Sequence, residues 1–218
     1  EDRPTQRDMA AAVTALYNDG GIGLLEAGTG VGKSLGYLVP ALRWAAANGE
    51  RTVVSTNTIN LQEQLVNKDI PLLARALGRD LSVAVMKGRG NYLCLMRFRS
   101  FSEAGSFRRL DEIPLFRAVE GWAPRTETGD RSEIADLPDS VDFWREMSAA
   151  SENCIGQACP DFEPCWVTRM RQRALEADLV VVNHHLLCAD LAVKESSYGA
   201  VIPPYDTLIL DEAHLLED

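Results

Sequence analysis

Leu24-Leu25-Glu26-Ala27-Gly28-Thr29-Gly30-Val31-Gly32-Lys33-Ser34 reads as the end of a strand, a glycine-rich loop and the start of a helix. Gly28, Gly30 and Gly32 carry no Cβ, so several backbone N–H groups can point into one concavity that suits phosphate. Lys33 can reach the terminal phosphates of a nucleotide, and the Ser34 hydroxyl can hold a Mg²⁺ bound to them. The helix that follows brings its positive dipole end to the same anion. Ala27 stands where the strict phosphate-loop pattern has glycine. The expected nucleotide-binding residues are Ala27, Gly28, Thr29, Gly30, Val31, Gly32, Lys33 and Ser34, with ATP and Mg²⁺ as ligands.

Working outward, Ile22 to Glu26 reads as a first strand and Ser34 to Asn48 as a helix with Leu35, Leu38, Val39 and Leu42 on its apolar stripe. Arg51 to Ser55 reads as a second strand, Ile59 to Val66 as a helix and Leu81 to Met86 as a third strand. A βαβαβ order with the loop after the first strand predicts a parallel, doubly wound α/β core. Between strand and helix, Thr56-Asn57-Thr58 offers hydroxyls and an amide to a nucleic-acid backbone, or else a plain helix cap. Upstream, a helical pattern through Met9, Val13, Leu16 and Tyr17 follows Gln6, whose amide could read an adenine edge.

Late in the chain, the apolar runs Leu179 to Val182 and Thr207 to Leu210 read as further strands. The second delivers Asp211-Glu212-Ala213-His214 to the carboxyl edge of the sheet, where ligands of parallel sheets bind. Asp211 is the expected Mg²⁺ ligand and Glu212 the residue that polarises the attacking water, which makes Lys33, Asp211 and Glu212 the catalytic candidates. His214 is placed to relay the nucleotide state. For His184 and His185, packing or a hydrogen bond is the expected role.

Residues 88–167 interrupt this pattern and read as an insertion, between 1–87 and 168–218. It holds Cys94, Cys154, Cys159 and Cys165 in the spacing C-x59-C-x4-C-x5-C. No tight C-x2-C knuckle of the usual zinc site is present, and four thiolates on a loop-rich insertion suit an iron–sulfur cluster, with zinc as the competitor. Cys188 follows an apolar strand and reads as a small core residue. The chain's formal net charge is −10, yet Lys87, Arg89, Arg97, Arg99, Arg108 and Arg109 face only Glu103 between positions 87 and 109. Arg89, Tyr92 and Arg97, with Phe98 and Phe101 interleaved, join Thr56 and Asn57 as candidate nucleic-acid contacts, although a solvated charged face is the commoner origin of such a run. No apolar run approaches the length of a membrane span, and the cysteine usage reads as cytoplasmic. The opening at Glu1 and the stop just after a motif read as a piece of a longer protein.

Together these motifs resemble the iron–sulfur DNA helicases of superfamily 2, the XPD/DinG group. The matching segments are Glu26 to Ser34, Lys87-Gly88-Arg89-Gly90-Asn91-Tyr92-Leu93-Cys94, the three later cysteines, Val181-Val182-Asn183-His184-His185, and the Asp-Glu-Ala-His box. Asp178 to Asp218 most resembles the bacterial YoaA branch, and Ala27 is usual in superfamily 2. The resemblance implies a partial RecA-like P-loop motor domain with an inserted [4Fe–4S] domain. It also implies ATP-driven 5′→3′ movement on single-stranded or forked DNA in replication or repair, with a protein partner and an association with the bacterial nucleoid. It places an arch and a second motor domain after the box. A nucleic-acid or partner-docking module with a redox or zinc site is the alternative from a different class.

Overall fold

The computed structural model describes residues 3–28, 30–78, 81–150, 152, 154–195 and 200–216. The chain divides into two compact units, one of residues 1–86 and 173–218, the other of residues 87–172.

The first unit is an α/β layer structure around a four-stranded sheet. Its strands are β1 (Thr52–Thr56), β2 (Val83–Val85), β3 (Leu179–Asn183) and β4 (Thr207–Leu210), in the order β2-β3-β1-β4. Every pairing is parallel, with Val53 beside Val180 and Leu208, and Val54 beside Val181 and Ile209. β1 and β3 are rich in β-branched residues and almost wholly buried, and they sit in the middle of the sheet, as parallel strands covered on both faces do. β4 alternates between half-buried and exposed residues and leaves Leu208 and Leu210 showing.

Helix α1 (Pro4–Asp19) packs on α2 (Lys33–Asn48), where a Cβ at Gly36 would press against the Met9 sulfur. Tyr37, Leu38 and Leu42 of α2 join Val54, Leu179 and Val181 of the sheet in one apolar core. Helix α3 (Ile59–Gln64) is expected to stop near Val66. It instead runs through a π-helical turn (Leu65–Asp69) into α4 (Ile70–Leu77), ending at Gly78 in the left-handed conformation. The wider turn accommodates Pro71, which lacks an N–H and would otherwise meet the carbonyl one turn back.

One expected strand does not form. Residues 22–28 have no regular structure, and Ile22 and Leu24 are almost wholly exposed. An apolar run becomes a strand only when a neighbour accepts its backbone hydrogen bonds, and no described strand pairs with this one.

The second unit holds α5 (Leu95–Ala104), α6 (Glu112–Trp122), α7 (Asp142–Met147) and most of α8 (Trp166–Glu176). Phe101, Phe107, Phe116 and Phe143 contact one another, with the Phe101 and Phe116 rings 5.3 Å apart. Such tilted and edge-on contacts among large rings supply most of a small core. Isolated bridges join Tyr92 to Asp130 and Leu93 to Ser148. The buried ammonium of Lys87 lies 2.7 Å from the Asp130 carboxylate. In the first unit, helix α9 (His184–Glu195) leads from β3 toward β4. Among the described residues no helix is long and apolar enough to cross a membrane.

Candidate nucleotide site and cysteine region

Gly30 and Gly32 both have positive φ, the conformation that side chains disfavour, and α2 starts directly at Lys33. No side chain caps that helix start, so its first N–H groups remain for an anion. A Cβ at Gly28 or Gly30 would meet nothing within 4 Å, which leaves the hollow of the loop open. Behind it, the Gln6 amide donates to the Gly32 carbonyl at 2.9 Å, and a Cβ on Gly32 would collide with that amide. Gln6 thus braces the loop directly. Thr29 lies outside the described residues; Ala27, Val31 and Ser34 are partly buried along the same turn.

The expected catalytic residues meet here. Lys33 Nζ is 2.8 Å from the Glu212 carboxylate and 3.5 Å from the Ala27 carbonyl. Asp211 accepts from the Tyr37 hydroxyl at 3.2 Å, and its own N–H donates to the Ser55 carbonyl at 2.8 Å. Tyr37 also has the Ser34 hydroxyl beside it, so one phenol ties the two expected Mg²⁺ ligands together. Sequence patterning alone misses Tyr37. The available signal is that it lies three residues after Ser34, on the same helical face. Glu212 has a left-handed backbone, φ 56° and ψ 43°, which is unusual for a residue with a side chain. His214 is exposed, 3.6 Å from the Glu212 carboxylate.

His184, at the start of α9, is buried and its Nδ1 lies 2.7 Å from Ser55 Oγ. Burial disfavours its protonation, so the imidazole is held neutral. Its Nε2 is buried without a hydrogen-bond partner among the described residues. His185 is exposed, and so is Cys188, contrary to its expected place in the core: it falls on the outer face of α9.

Burial raises the pKa of Asp211, and the neighbouring Glu212 charge adds to this, against the opposing pull of Tyr37 and Lys33. A raised carboxyl pKa means that the protonated form persists to higher pH. Mg²⁺-dependent nucleotide affinity is therefore expected to fall on acidification, with a midpoint above that of an ordinary aspartate. A titration of Mg²⁺-nucleotide binding in wild type and Asp211→Asn checks this; the same acid limb in both proteins would refute it.

Within each unit, the candidate nucleic-acid contacts differ in their access to the surface. Thr56 is fully buried with its hydroxyl turned to the Thr58 carbonyl, and Thr58 caps α3 by accepting from the Leu61 N–H. Only Asn57 of that pair is partly exposed. Tyr92 is buried, its hydroxyl accepting from the Lys87 N–H, and Phe101 belongs to the aromatic core. These positions alternate with exposed ones only in sequence; tertiary packing turns the rings inward. The basic run is largely matched by local acids: Lys87 by Asp130, Arg99 by Asp161, Arg108 by Asp142 and Arg109 by Asp111. Arg97 donates to the Ser148 carbonyl, and Arg89 lies beside Cys154.

Cys94 opens α5 with its thiol pushed up by burial, and Cys165 and Cys159 are its thiol neighbours. Cys154 is exposed, its thiolate favoured by the Gly156 N–H and then by Arg89. Among the described residues no three His, Cys, Asp or Glu side chains close to the spacing of a metal site. Three thiols thus share a region without forming a tight ligand set.

A parallel α/β sheet whose glycine loop enters a helix beside an Asp-Glu strand end is the arrangement of phosphate-loop nucleotide-binding proteins. No protein-family model matches the chain. Curated relatives do. It is 42% identical over 217 residues to the ATP-dependent DNA helicase YoaA of Haemophilus influenzae, covering 99% of this chain and 33% of that protein. It is 41% identical over 237 residues to the ATP-dependent helicase DinG of Mycobacterium tuberculosis, covering 99% of this chain and 34% of that protein. The 3′-5′ exonuclease DinG of Bacillus subtilis is 30% identical over 217 residues, covering 100% of this chain and 23% of that protein. The chain belongs to the DinG/XPD family and is YoaA-like. It spans about a third of the length of the YoaA proteins it matches.

Proposed function

We propose that the chain is the ATP-binding, cluster-bearing N-terminal part of an ATP-dependent DNA helicase that moves 5′→3′ on single-stranded or forked DNA. The observation that carries this is the meeting of Lys33 with Glu212 at 2.8 Å, while Asp211 is tied through Tyr37 to the same helix. Lys33 neutralises the terminal phosphates, Ser34 and Asp211 hold Mg²⁺, and Glu212 orients the attacking water once nucleotide takes Lys33 from it. Residues 1–87 and 168–218 form the RecA-like motor part and residues 88–167 the insertion.

Cys94, Cys154, Cys159 and Cys165 are the proposed ligands of a [4Fe–4S] cluster. A single zinc at about 2.3 Å from each sulfur needs four closely convergent thiolates, whereas thiolates bound to different irons of one cluster stand further apart. Cys159 and Cys165 lie near enough to Cys94 to bear on its charge, which supports a shared site. Cys154 would close in on assembly. A second motor domain, a replication or repair partner and action on cytoplasmic DNA belong to the same proposal, which the relatives' description as DNA helicases supports. Of the candidate DNA contacts, Asn57, Arg89 and Arg97 retain access.

Two assays test this, the first on the full-length protein, because residues 1–218 alone are expected to hydrolyse ATP weakly without a second motor domain. ATP hydrolysis is expected to rise on adding single-stranded DNA, and anaerobically purified protein is expected to hold about four irons and four acid-labile sulfides per chain. Hydrolysis indifferent to DNA would overturn the motor assignment. One zinc without sulfide would overturn the cluster.

A further inference from the structure

Two features around the Asp-Glu pair are unfavourable and lie beside one another in the fold. Glu212 is held in a left-handed backbone conformation while its carboxylate is engaged by Lys33 at 2.8 Å. The imidazole of His184 is buried with Nε2 unsatisfied, and the main-chain carbonyls of Asp211 and Glu212 are the groups it faces. Its other nitrogen is fixed: Nδ1 meets Ser55 Oγ at 2.7 Å, and the Ser55 carbonyl accepts the Asp211 N–H at 2.8 Å. When the Ser55 hydroxyl donates to Nδ1, the imidazole proton sits on Nε2, close to the Asp211 and Glu212 main chain but without a well-formed hydrogen bond to it.

We infer that His184 is a positioning residue whose Nε2–H becomes the hydrogen-bond donor to the Asp211–Glu212 main chain when nucleotide draws Lys33 away from Glu212. Phosphate oxygens compete for the ammonium that pins the Glu212 carboxylate. Once released, Glu212 can leave the left-handed region, and the peptides on either side of it rotate. That rotation brings a carbonyl to a donor already buried and oriented for it. The nucleotide-free state therefore carries two unfavourable features, and the nucleotide-bound state relieves both. This couples phosphate arrival at Lys33 to the placing of Glu212, and it rests on the ATP-site reading above. Because Ser55 ends one residue before Thr56 and Asn57, the same imidazole also links the Asp-Glu pair to the loop that opens α3.

His184→Asn keeps a polar group near Ser55 and removes the donor at Nε2, whereas His184→Gln can carry an N–H to that position. The experiment measures the affinity of a fluorescent ATP analogue with Mg²⁺ for wild type and both variants, together with thermal melting without nucleotide. Affinity is expected to fall about tenfold in His184→Asn and to recover to within about threefold in His184→Gln. The nucleotide-free melting temperature is expected to stay unchanged, because Nε2 contributes no bond in that state. Equal affinity in His184→Asn and wild type would overturn the inference. So would a nucleotide-free destabilisation of His184→Asn large enough to account for the lost binding. If wild type itself fails to bind nucleotide, the ATP-site reading falls and this inference with it, an outcome distinct from the other two.

Discussion

Lys33→Ala is expected to weaken ATP binding by about a hundredfold or more and to remove measurable hydrolysis, with little change in thermal stability. Lys33 is the cation within the loop's own sequence, and each charge-assisted contact that its ammonium makes to phosphate is worth about 1.5–3 kcal/mol. Two such contacts account for the loss. Stability is spared because the pair that Lys33 makes with Glu212 is about a quarter exposed on both sides, at 23% and 27%. Pairs with that access to water contribute about 0–1 kcal/mol. Equilibrium binding of an ATP analogue, read beside a melting curve, separates the two effects. Wild-type affinity in the variant would remove Lys33 from the site, and a collapse of the melting transition would reassign it to the fold.

A second large effect is expected in the other unit, on stability instead of binding. Lys87 and Asp130 are both buried, and their 2.7 Å pair also fixes the loop through Asp130 Oδ1, which accepts from the Ser132 N–H. Asp130 stands opposite Tyr92 in an isolated bridge, two residues before Cys94. Asp130→Ala takes the carboxylate from a buried ammonium that still donates to the Ser132 hydroxyl at 2.9 Å, and breaking a buried pair in this way typically costs about 3–5 kcal/mol. For a unit whose total stability is of the usual 5–15 kcal/mol, that is a large share. Hydrogen exchange of the amides in α5 and α7, measured with increasing denaturant, reads the loss in this unit alone. A cost below about 1 kcal/mol would show that the ion pair is dispensable. The double replacement Lys87→Met with Asp130→Leu is expected to recover much of the loss, since it removes both charges together.

Legibility in the sequence followed the range of the interactions. β1, β3 and β4 were readable because burial on one or both faces writes itself into a few consecutive residues. The phosphate loop was readable because its chemistry demands glycines and a Lys-Ser pair at fixed spacing. The strand expected at Ile22 to Glu26 does not form for the opposite reason: its apolar residues announce a capacity to pair, and pairing depends on a neighbour that its own residues do not encode. Helix α4 is hard to read because Pro71 looks like a stop until a π turn absorbs it. In residues 87–172, aromatic residues as far apart as Phe101 and Phe143 share one core, a contact that no local period reveals. Tyr92 and Thr56 look like surface contacts in sequence and are buried in the fold, and only the packing could decide that. The positions of Tyr37 and His184 beside Asp211 likewise depend on which strand ends become neighbours in the sheet.

The outer edge of β4 adds a consequence for colloidal behaviour. Its backbone N–H and C=O groups on that side have no strand beside them among the described residues, and Leu208 and Leu210 stand partly in water. Such an edge can template the addition of another strand from any chain that approaches it. The restraint is electrostatic: the net charge of −10 makes copies of this chain repel one another. At physiological ionic strength that repulsion reaches about 8 Å. Since strands pair at about 4.8 Å, the guard extends less than two strand spacings from the edge. Acidity thus does for this sheet what a covering strand would otherwise do, and it does so less well as salt is added.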